Sequence, residues 1–518
     1  MSKNPLLDLQ VHGQSVWLDY LSRDLIQSGQ LERLVAEDGL RGLTSNPTIF
    51  HGAITGRRTY DDEVHAVSSA GMLAPDIFET LAVRDIVAAC DVLEGVYDTS
   101  DGADGFVSLE VSPHLAHDTD GTVEEARRLA ASVDRPNLMI KVPATDAGLP
   151  AIKTLLSEGV CVNITLIFAQ GVYAQVAETY LQALEVRADR GQSLDAVSSV
   201  ASTFVSRIDT AVDDELVKCI EQASANAEEA RVLLGKVAVA NSRAVYKIFT
   251  EMFSTERFEA LAAQGARRQR PLWASTSTKN PAYPATLYVD ELIGSDTVNT
   301  MPENTMGEFR EHGDVSETLS ENLDYWMGVL DRVEALGIDL EEIMDDLRVD
   351  GLQKFSDSYD ELLRDLAVKA AKEAFQGWSE TSLEERLSYI ENLAAKLGER
   401  SAEIGELISQ EVGMPGKMSM MIQAGLPATT TASISGTARE FPFEETIGRS
   451  LVTREPIGVV GCITPWNYPL HQIIGKVAPA IAAGCTMEDK PTNEAPLNSI
   501  VLADIINKIC HLYTSDST

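Results

Sequence analysis

The first two-thirds of the chain alternates short runs of apolar and β-branched residues with longer stretches of helical hydrophobic period. The short runs have the length and composition of β-strands, whereas stretches such as 122–133 and 214–234 have the pattern of amphipathic helices. Strands that alternate with helices indicate a parallel sheet, and eight such units predict a closed (β/α)8 barrel. A doubly wound open sheet alternates in the same way, so the pattern leaves both α/β architectures open. The eight candidate strands are 15–20, 42–47, 105–111, 138–144, 160–168, 200–208, 271–276 and 297–302.

Polar residues recur late in these otherwise apolar strands. They are costly to bury without partners, and the active sites of (β/α)8 barrels lie at the C-terminal ends of the strands. The pattern therefore predicts a ring of polar side chains around one cavity, although about a third of such residues are expected only to bond loop backbone. The residues concerned are Asp19, Asn46, Glu110, Lys141, Asn163, Thr165, Arg207 and Ser275.

Lys141 stands out because apolar residues flank it on both sides, in LMI-Lys-VPA. Burial disfavours the ammonium form of lysine, and the neutral amine is the form that attacks a ketone to make a Schiff base. The alternative is an edge-strand lysine that extends its amine into water. Asp19 and Glu110, from two other strands, offer the general base and general acid that aldol chemistry needs.

Five motifs carry a resemblance to the transaldolases, in the family's order and with full strand spacing. The motifs span 138–168 (LMIKVPATDAGLPAIKTLLSEGVCVNITLIF), 44–50 (TSNPTIF), 108–114 (SLEVSPH), 271–283 (PLWASTSTKNPAY) and 297–305 (TVNTMPENT). The last two are similar to those of the longer bacterial subtype. The resemblance implies a class I aldolase-like (β/α)8 barrel over residues 1–367 that works without a cofactor or a metal.

The resemblance also implies roles for individual residues. Lys141 matches the Schiff-base nucleophile, Asp19 the group that handles the hydroxyl proton during carbon–carbon cleavage, and Glu110 and Thr165 the pair that holds a catalytic water. In the family, four further positions contact the sugar or the Schiff base. The residues of this chain that match them are Thr44, Asn46, Asn163 and Ser202.

Further matches concern the phosphate and the choice of reaction. Arg207 and Ser275 match phosphate contacts, and Lys279 is a third candidate in a loop longer than that of short family members. Phe204 occupies a position where the related fructose-6-phosphate aldolases carry tyrosine, which favours transfer over simple cleavage.

The implied reaction moves dihydroxyacetone from sedoheptulose 7-phosphate to glyceraldehyde 3-phosphate, yielding erythrose 4-phosphate and fructose 6-phosphate. A fructose-6-phosphate aldolase-like lyase is the alternative from the same chemistry. An inactive barrel that serves as an interaction protein is the alternative from another class.

The charge of the chain is strongly acidic and unevenly distributed. Residues 368–518 carry 12 basic and 18 acidic side chains, a net charge of −6, which leaves −31 of the total −37 for residues 1–367. Such a surface repels nucleic acid and anionic membranes, so neither is expected as a partner. A sugar-phosphate enzyme of this charge needs a local basic pocket. The basic run Arg267, Arg268 and Arg270 precedes the seventh strand, so we expect it at the opposite mouth of the barrel and in solvent.

Other features bear on compartment and metal binding. Six cysteines in a long chain, no apolar run of membrane-spanning length and no apolar segment at the N-terminus predict a cytoplasmic protein. His114 and His117 lie three residues apart, but no third and fourth ligand follow at metal-site spacing. The sequence does not indicate an oligomeric state.

From residue 368 onward the pattern changes. Residues 368–411 are typical of amphipathic helix, and the motifs at 454–470 and 475–491 resemble the first strand–helix–strand of the NAD domain of aldehyde dehydrogenases. By that resemblance Asn467 matches the oxyanion-hole asparagine and Lys490 the lysine that binds the cofactor ribose.

This second resemblance is incomplete. Glu488–Asp489 stands where the family has an apolar pair, and Thr492–Asn493 where it has Ser-Glu. Neither Cys462 nor Cys485 matches the nucleophile, and the sequence ends before the family's general-base glutamate and nucleophilic cysteine. We therefore expect residues 368–518 to form an incomplete doubly wound, NAD-domain-like fragment without catalytic activity.

Overall fold

The computed structural model describes residues 4–69, 72–222 and 226–509. The chain divides into two compact units, one formed by Met1–Thr59 and Glu79–Leu362 and the other by Tyr60–Phe78 and Leu363–Thr518. The predicted division after residue 367 stays a prediction.

The first unit is a closed barrel of eight parallel strands that pair in chain order. Strand β8 returns to β1, with Trp17 opposite Thr300, and so closes the sheet without a free edge. The prediction of a (β/α)8 barrel is therefore confirmed, and an open doubly wound sheet is excluded for this unit. The strands are β1 Gln14–Leu18, β2 Gly42–Leu43, β3 Phe106–Glu110, β4 Leu138–Pro143, β5 Val162–Ile167, β6 Ser199–Phe204, β7 Arg270–Ala274 and β8 Thr297–Met301.

Helices alternate with the strands of the first unit and supply apolar side chains that bury the outside of the barrel. Of the helices given next, Asp61–Ser69, the start of Ala74–Thr99 and the end of Leu340–Ser379 belong to the second unit. In the described part of the chain, helices α1 to α17 are Pro5–Leu9, Arg23–Gln27, Gln30–Asp38, Pro47–Thr55, Asp61–Ser69, Ala74–Thr99, Thr119–Val133, Gly148–Glu158, Gln170–Asp189, Ser206–Glu221, Ala227–Leu233, Val237–Met252, Glu256–Ala262, Leu287–Asp290, Glu303–His312, Leu323–Ala335 and Leu340–Ser379.

Several predicted strands end earlier than the sequence pattern indicated. Asn46 was expected inside a strand but caps helix α4, where its side-chain oxygen accepts from the amide of Ile49 at 3.0 Å. Arg207 is the second residue of helix α10, and Ser275 follows β7 in the left-handed region with φ of 56°. These residues lie just beyond the strands because turns and caps begin there.

Two predicted helices are also divided. The stretch 214–234 belongs to helices α10 and α11, and residues 223–225 between them lie outside the described residues. The predicted helix 368–411 falls into the end of α17, then Leu383–Glu399 (α18) and Ser401–Val412 (α19). The break before α18 has a physical cause, because the hydroxyl of Ser382 caps the amide of Glu385 at 3.2 Å.

Helices α18 and α19 of the second unit share one apolar core with Pro469–Ala483 and Leu497–Ile509, and this core includes Leu393, Ile473 and Leu502. Strands Glu444–Ile447 (β9) and Ser450–Thr453 (β10) form an antiparallel pair, and Val459–Ile463 (β11) and Thr486–Lys490 (β12) a parallel one. The remaining helices are α20 Gly416–Met418, α21 Leu426–Glu440, α22 Pro469–Ala483 and α23 Leu497–Ile509.

Helix α22 connects the two parallel strands, so the predicted strand–helix–strand is confirmed. Among the described residues, this sheet has two strands. No helix in the described ranges is both long and apolar enough to span a bilayer.

Candidate active site

A cavity of about 120 Å³ opens where the strands of the barrel end. Ten of the twelve predicted site residues line it, and they come from six different strands or the loops that follow them. Those ten are Asp19, Thr44, Asn46, Lys141, Thr165, Ser202, Phe204, Arg207, Ser275 and Lys279. The other two, Glu110 and Asn163, flank Lys141 in strand register on either side.

Lys141 projects from the middle of β4 and is only 4% exposed. Its Nζ lies 3.3 Å from the carbonyl oxygen of Ser45 and 3.3 Å from Oε2 of Glu110. The ring of Phe355 covers the amine from another side, with its centroid at 5.3 Å. The amine therefore faces the cavity instead of extending into bulk water as a surface lysine does.

Glu110 is the carboxylate in direct contact with Lys141, and its side chain is 6% exposed. Burial raises the pKa of the Glu110 carboxyl, and the positive charge and hydrogen bond of Lys141 oppose that rise without reversing it. A carboxyl of raised pKa next to an amine is suited to exchange a proton with it.

Asp19 follows β1 on the other side of the cavity. Burial raises the pKa of Asp19, while a hydrogen bond from Thr44 and the charges of Lys141, Lys279 and Arg207 act in the opposite direction. The Thr44 hydroxyl lies 2.7 Å from Oδ1 of Asp19 and 2.8 Å from the hydroxyl of Thr300. The two threonines thus fix the orientation of this carboxyl.

Asn163 and Ser202 form a buried chain of hydrogen bonds at the cavity floor. The Ser202 hydroxyl donates to Oδ1 of Asn163 at 2.6 Å, and the Asn163 amide donates to the hydroxyl of Ser108 at 3.0 Å. Thr165 differs, because its buried hydroxyl has no protein partner among the described residues. Beside it, Leu166 has a φ of 60°, and the register between β5 and β6 shifts at this point. The chain of β5 therefore changes direction next to Thr165.

The rim of the cavity carries positive charge. Arg207 is half-buried, its guanidinium lies 5.3 Å from the ring centroid of Phe204, and its Nη1 has no hydrogen-bond partner in the described part of the protein. Burial lowers the pKa of Arg207, and the charges of Asp350 and Asp19 oppose this. Lys279 is exposed, with its amine 3.4 Å from the hydroxyl of Ser277. Two cations at one rim form a local basic patch in an acidic chain.

Comparison with known proteins agrees with this geometry. A family model described as transaldolase/fructose-6-phosphate aldolase matches residues 16–366. The transaldolase of Parafrankia sp. (strain EAN1pec) is 47% identical over 364 residues, covering 70% of this chain and 97% of the relative. The transaldolase of Mycolicibacterium smegmatis is 45% identical over 365 residues, again 70% of this chain and 97% of the relative. The chain belongs to the transaldolase/fructose-6-phosphate aldolase family. It is an enzyme of the transaldolase type, and the family acts on sugar phosphates.

A second family model, for aldehyde dehydrogenases, matches residues 354–511. The aldehyde dehydrogenase structure from Bartonella henselae is 38% identical, covers 28% of this chain and 32% of its own, and has a TM-score of 0.28. The Mycobacterium tuberculosis aldehyde dehydrogenase complexed with NAD+ is 34% identical, covers 29% and 32%, and has a TM-score of 0.28. The chain spans about a third of the length of these structures.

The residues that the second resemblance singled out are placed as follows. Cys462 lies in β11 and Cys485 follows α22, and both are buried. Burial raises the pKa of the Cys462 thiol, which disfavours the thiolate form. The Asn467 carbonyl accepts from Gln423 at 3.0 Å, and Lys490 ends β12 with its side chain exposed.

Sequence reasoning missed five residues that line the transaldolase cavity: Ala274, Ser277, Thr300, Pro302 and Phe355. Thr300 lies near the C-terminal end of β8, so the rule that found the other polar residues would also have found it. Phe355 belongs to helix α17, more than 200 positions from Lys141 in the sequence, and no local signal marks it.

The three arginines of the basic run line a separate cavity of about 370 Å³ at the N-terminal ends of the strands, as predicted. Arg268 is exposed and pairs with Asp296 at 2.7 Å. The expectation that Arg270 lies in open solvent is wrong. Its guanidinium is held at 2.8 Å from Asp104 and at 2.8 Å from the Ser15 hydroxyl. The carboxylates of this mouth offset its positive charge.

The histidines noted in the sequence do not form a cluster of ligands. His114 lies on the loop after β3, 2.7 Å from the carboxylate of Asp360. Across the described residues, no group of three or more His, Cys, Asp and Glu side chains has the arrangement of a metal site.

Proposed function

We propose that the barrel transfers dihydroxyacetone from sedoheptulose 7-phosphate to glyceraldehyde 3-phosphate through a Schiff base on Lys141. The observation that carries this is the position of the Lys141 amine, which is buried in a polar cavity with Glu110 at 3.3 Å and faces the charge of Asp19. Every proton that the reaction moves has a carboxyl group available, so the mechanism needs no cofactor or metal.

The first step is imine formation. Lys141 passes a proton to Glu110, and the neutral amine attacks the ketone carbon of the sugar. The raised pKa of Glu110 keeps this proton available for the carbinolamine hydroxyl, which then leaves as water. The hydroxyl of Thr165, which has no partner among the residues that the structure describes, lines the same cavity and is proposed to bind that water.

The second step breaks the bond between C3 and C4 of the imine. Asp19 takes the proton of the C4 hydroxyl, the new carbonyl leaves as an aldehyde, and the electron pair of the broken bond moves into the enamine on Lys141. Addition of the enamine to the acceptor aldehyde reverses these movements, and Asp19 returns its proton to the new hydroxyl. The Thr44 hydroxyl holds the Asp19 carboxylate at 2.7 Å in the required orientation.

The remaining polar residues are assigned to substrate binding. Asn46, Ser202 and Asn163 are proposed to contact the sugar hydroxyls or the imine, since they surround Lys141 at the cavity floor and wall. Asn46 uses its oxygen as a helix cap, which leaves its amide group as the donor to a ligand.

Arg207, Ser275 and Lys279 are proposed to bind the substrate phosphate. Within the described ranges, the buried Nη1 of Arg207 has no hydrogen-bond partner, and guanidinium groups bind phosphate with strong, geometrically specific hydrogen bonds. The net charge of −31 over residues 1–367 makes this local pair of cations necessary, because the rest of the surface repels the substrate.

Phe204 favours transfer over hydrolytic release of the three-carbon unit. It lines the cavity, is 7% exposed, and has no hydroxyl to protonate the enamine. An enamine that is not protonated persists until an aldehyde arrives. The second candidate function, a fructose-6-phosphate aldolase-like lyase, requires a proton donor at that point.

We further propose a cytoplasmic location, no nucleic-acid or membrane partner, and no dehydrogenase activity in residues 368–518. The reaction is tested by assaying erythrose 4-phosphate release from sedoheptulose 7-phosphate with and without glyceraldehyde 3-phosphate. A transaldolase releases the product continuously only with the acceptor present. Equal steady rates without it identify a lyase, and no release under either condition identifies an inactive barrel.

A further inference from the structure

The segment between β7 and α14 carries three of the cavity residues, Ser275, Ser277 and Lys279. Lys279 itself is exposed, and its amine lies 3.4 Å from the Ser277 hydroxyl. A long exposed lysine loses rotamer freedom when it binds a phosphate, so its usefulness depends on how well its backbone is held.

Tyr283, four residues after Lys279, anchors this segment through a hydrogen bond and through the packing of its ring. Its hydroxyl donates to Oδ2 of Asp213 at 2.6 Å, and Oδ1 of the same carboxylate accepts from the amide of Gly235 at 3.0 Å. Gly235 has a φ of +69°, and a Cβ there would come within 2.7 Å of the tyrosine ring. The glycine thus leaves space for the ring and also orients the carboxylate that binds its hydroxyl.

A second tyrosine repeats the arrangement one helical turn away. The Tyr288 hydroxyl donates to Oδ2 of Asp209 at 2.9 Å, and Oδ1 of Asp209 accepts from the amide of Ala238 at 2.7 Å. Asp209 and Asp213 are four residues apart on helix α10, which also carries Arg207 at its second position. Tyr283 therefore attaches the Lys279 segment, and Tyr288 the short helix α14 that follows it, to the helix that holds the other cation.

The attachment continues at the start of this helix. The amide of Ser206 donates to the carbonyl of Ser275 at 3.0 Å, and their hydroxyl groups are also 3.0 Å apart. The Lys279 segment is thus joined to α10 through Ser275 at its start and through Tyr283 near its end, and α14 after it is joined through Tyr288.

We infer that Tyr283 and Asp213 are positioning residues for phosphate recognition, because they fix the distance between Lys279 and Arg207 across the mouth of the cavity. This rests on the proposed function, in which both cations bind the substrate phosphate. Neither Tyr283 nor Asp213 lines the cavity, so they act through the segment that they hold.

The test compares a phosphorylated ketose with the same sugar lacking phosphate. Tyr283→Phe removes only the hydroxyl. We expect its KM for fructose 6-phosphate to rise about tenfold, the size of effect that loss of one hydrogen bond to a charged group produces, with kcat within about twofold. Its kcat/KM for unphosphorylated D-fructose should stay at the wild-type value, because that sugar does not use the two cations.

Two further variants complete the comparison. Asp213→Asn removes the charge and keeps one carbonyl oxygen, which can accept from the Gly235 amide while the new NH2 group donates to the tyrosine oxygen, so we expect a smaller rise in KM. Tyr246→Phe is the matched control, since it removes another tyrosine hydroxyl of the same unit, bonded at 3.1 Å to the carbonyl of Ser295, away from this segment. It should leave both sugars unaffected.

Calorimetric titration with inorganic phosphate gives a readout that does not depend on turnover. The dissociation constant should rise in Tyr283→Phe and not in Tyr246→Phe. An unchanged KM and an unchanged phosphate affinity in Tyr283→Phe overturn the inference, as does an equal loss with both sugars or a wild-type protein that binds no phosphate. A wild-type protein that binds phosphate but turns over no sugar contradicts the proposed function instead.

Discussion

The hydrogen bond from Thr44 to Asp19 offers a quantitative test of the proton-transfer scheme. Thr44→Val keeps the shape of the side chain and removes its hydroxyl, which lies 2.7 Å from the carboxylate and is buried. A hydrogen bond to a charged group contributes about 1.5–3 kcal/mol. The loss should therefore raise the pKa of Asp19, and this energy corresponds to a displacement of about one to two pH units in a titrating activity.

The direction of the effect on activity follows from the role of Asp19 as a base. Burial already raises the pKa of Asp19, and the bond from Thr44 partly offsets that rise. Without the bond, the carboxylate is protonated at a higher pH, so activity should fail earlier as the pH is lowered. The acidic limb of the kcat profile is therefore expected to move upward by about one to two pH units, with little change at alkaline pH.

The assay is the pH dependence of erythrose 4-phosphate release under saturating substrates. Thr44→Ser is the matched control, because it keeps the hydroxyl and should keep the wild-type limb. A thermal unfolding measurement checks that both variants remain folded, since Thr300 also loses a partner at 2.8 Å in Thr44→Val. An acidic limb that stays in place or moves to lower pH in Thr44→Val refutes the assignment of Asp19 as the base.

Three other predictions concern separate parts of the account. Asp19→Asn and Glu110→Gln keep side-chain size but remove the proton acceptor, so each should lower kcat by about 10²–10⁴-fold, and wild-type rates in either contradict the mechanism. Arg207→Met should raise KM for fructose 6-phosphate by about 10–100-fold and leave D-fructose unaffected, and equal losses with both sugars would show that its role is structural. A chain ended after Leu366 should retain transaldolase activity, and the full chain should bind no NAD by calorimetry. Unfolding of the shortened chain, or micromolar NAD affinity of the full one, would show that residues 368–518 are integral to the fold or form a cofactor site.

The barrel and most of its cavity were accessible from the sequence because both depend on local patterns. Alternation of strands with helices predicts a parallel sheet, and closure brings the C-terminal ends of all eight strands to one mouth. A buried lysine such as Lys141 and carboxyl groups such as Asp19 then meet there, whatever the detailed packing. Thr300 belonged to the same pattern and was overlooked.

Other features depend on contacts between distant parts of the chain. The ring of Phe355 reaches Lys141 from helix α17, and the fit of Tyr283 against Gly235 joins residues that are 48 positions apart. Residues 60–78 group with the second unit, in which Lys369 pairs with Asp61. No periodicity or motif encodes such pairs, so they become visible only in the folded chain.

Strand ends were less predictable for a different reason. Asn46, Arg207 and Ser275 follow apolar strand residues directly, and their capping and turn conformations depend on hydrogen bonds formed after folding. The strands predicted from the sequence pattern are therefore too long and include these three residues of the active site.

The most direct test of the central claim is covalent trapping of the imine. The protein is incubated with fructose 6-phosphate and sodium borohydride and then analysed by peptide mass spectrometry, with Lys141→Arg and Lys153→Arg as matched variants. Lys153 lies on the next helix and bonds Gln182 at 2.8 Å, away from the cavity. We predict loss of activity and one reduced three-carbon adduct, located on Lys141 in the wild-type and Lys153→Arg proteins. Lys141→Arg should be inactive and unlabelled, because guanidinium is not deprotonated in proteins. An adduct on another lysine, or none in the wild-type protein, contradicts the claim that Lys141 forms the Schiff base.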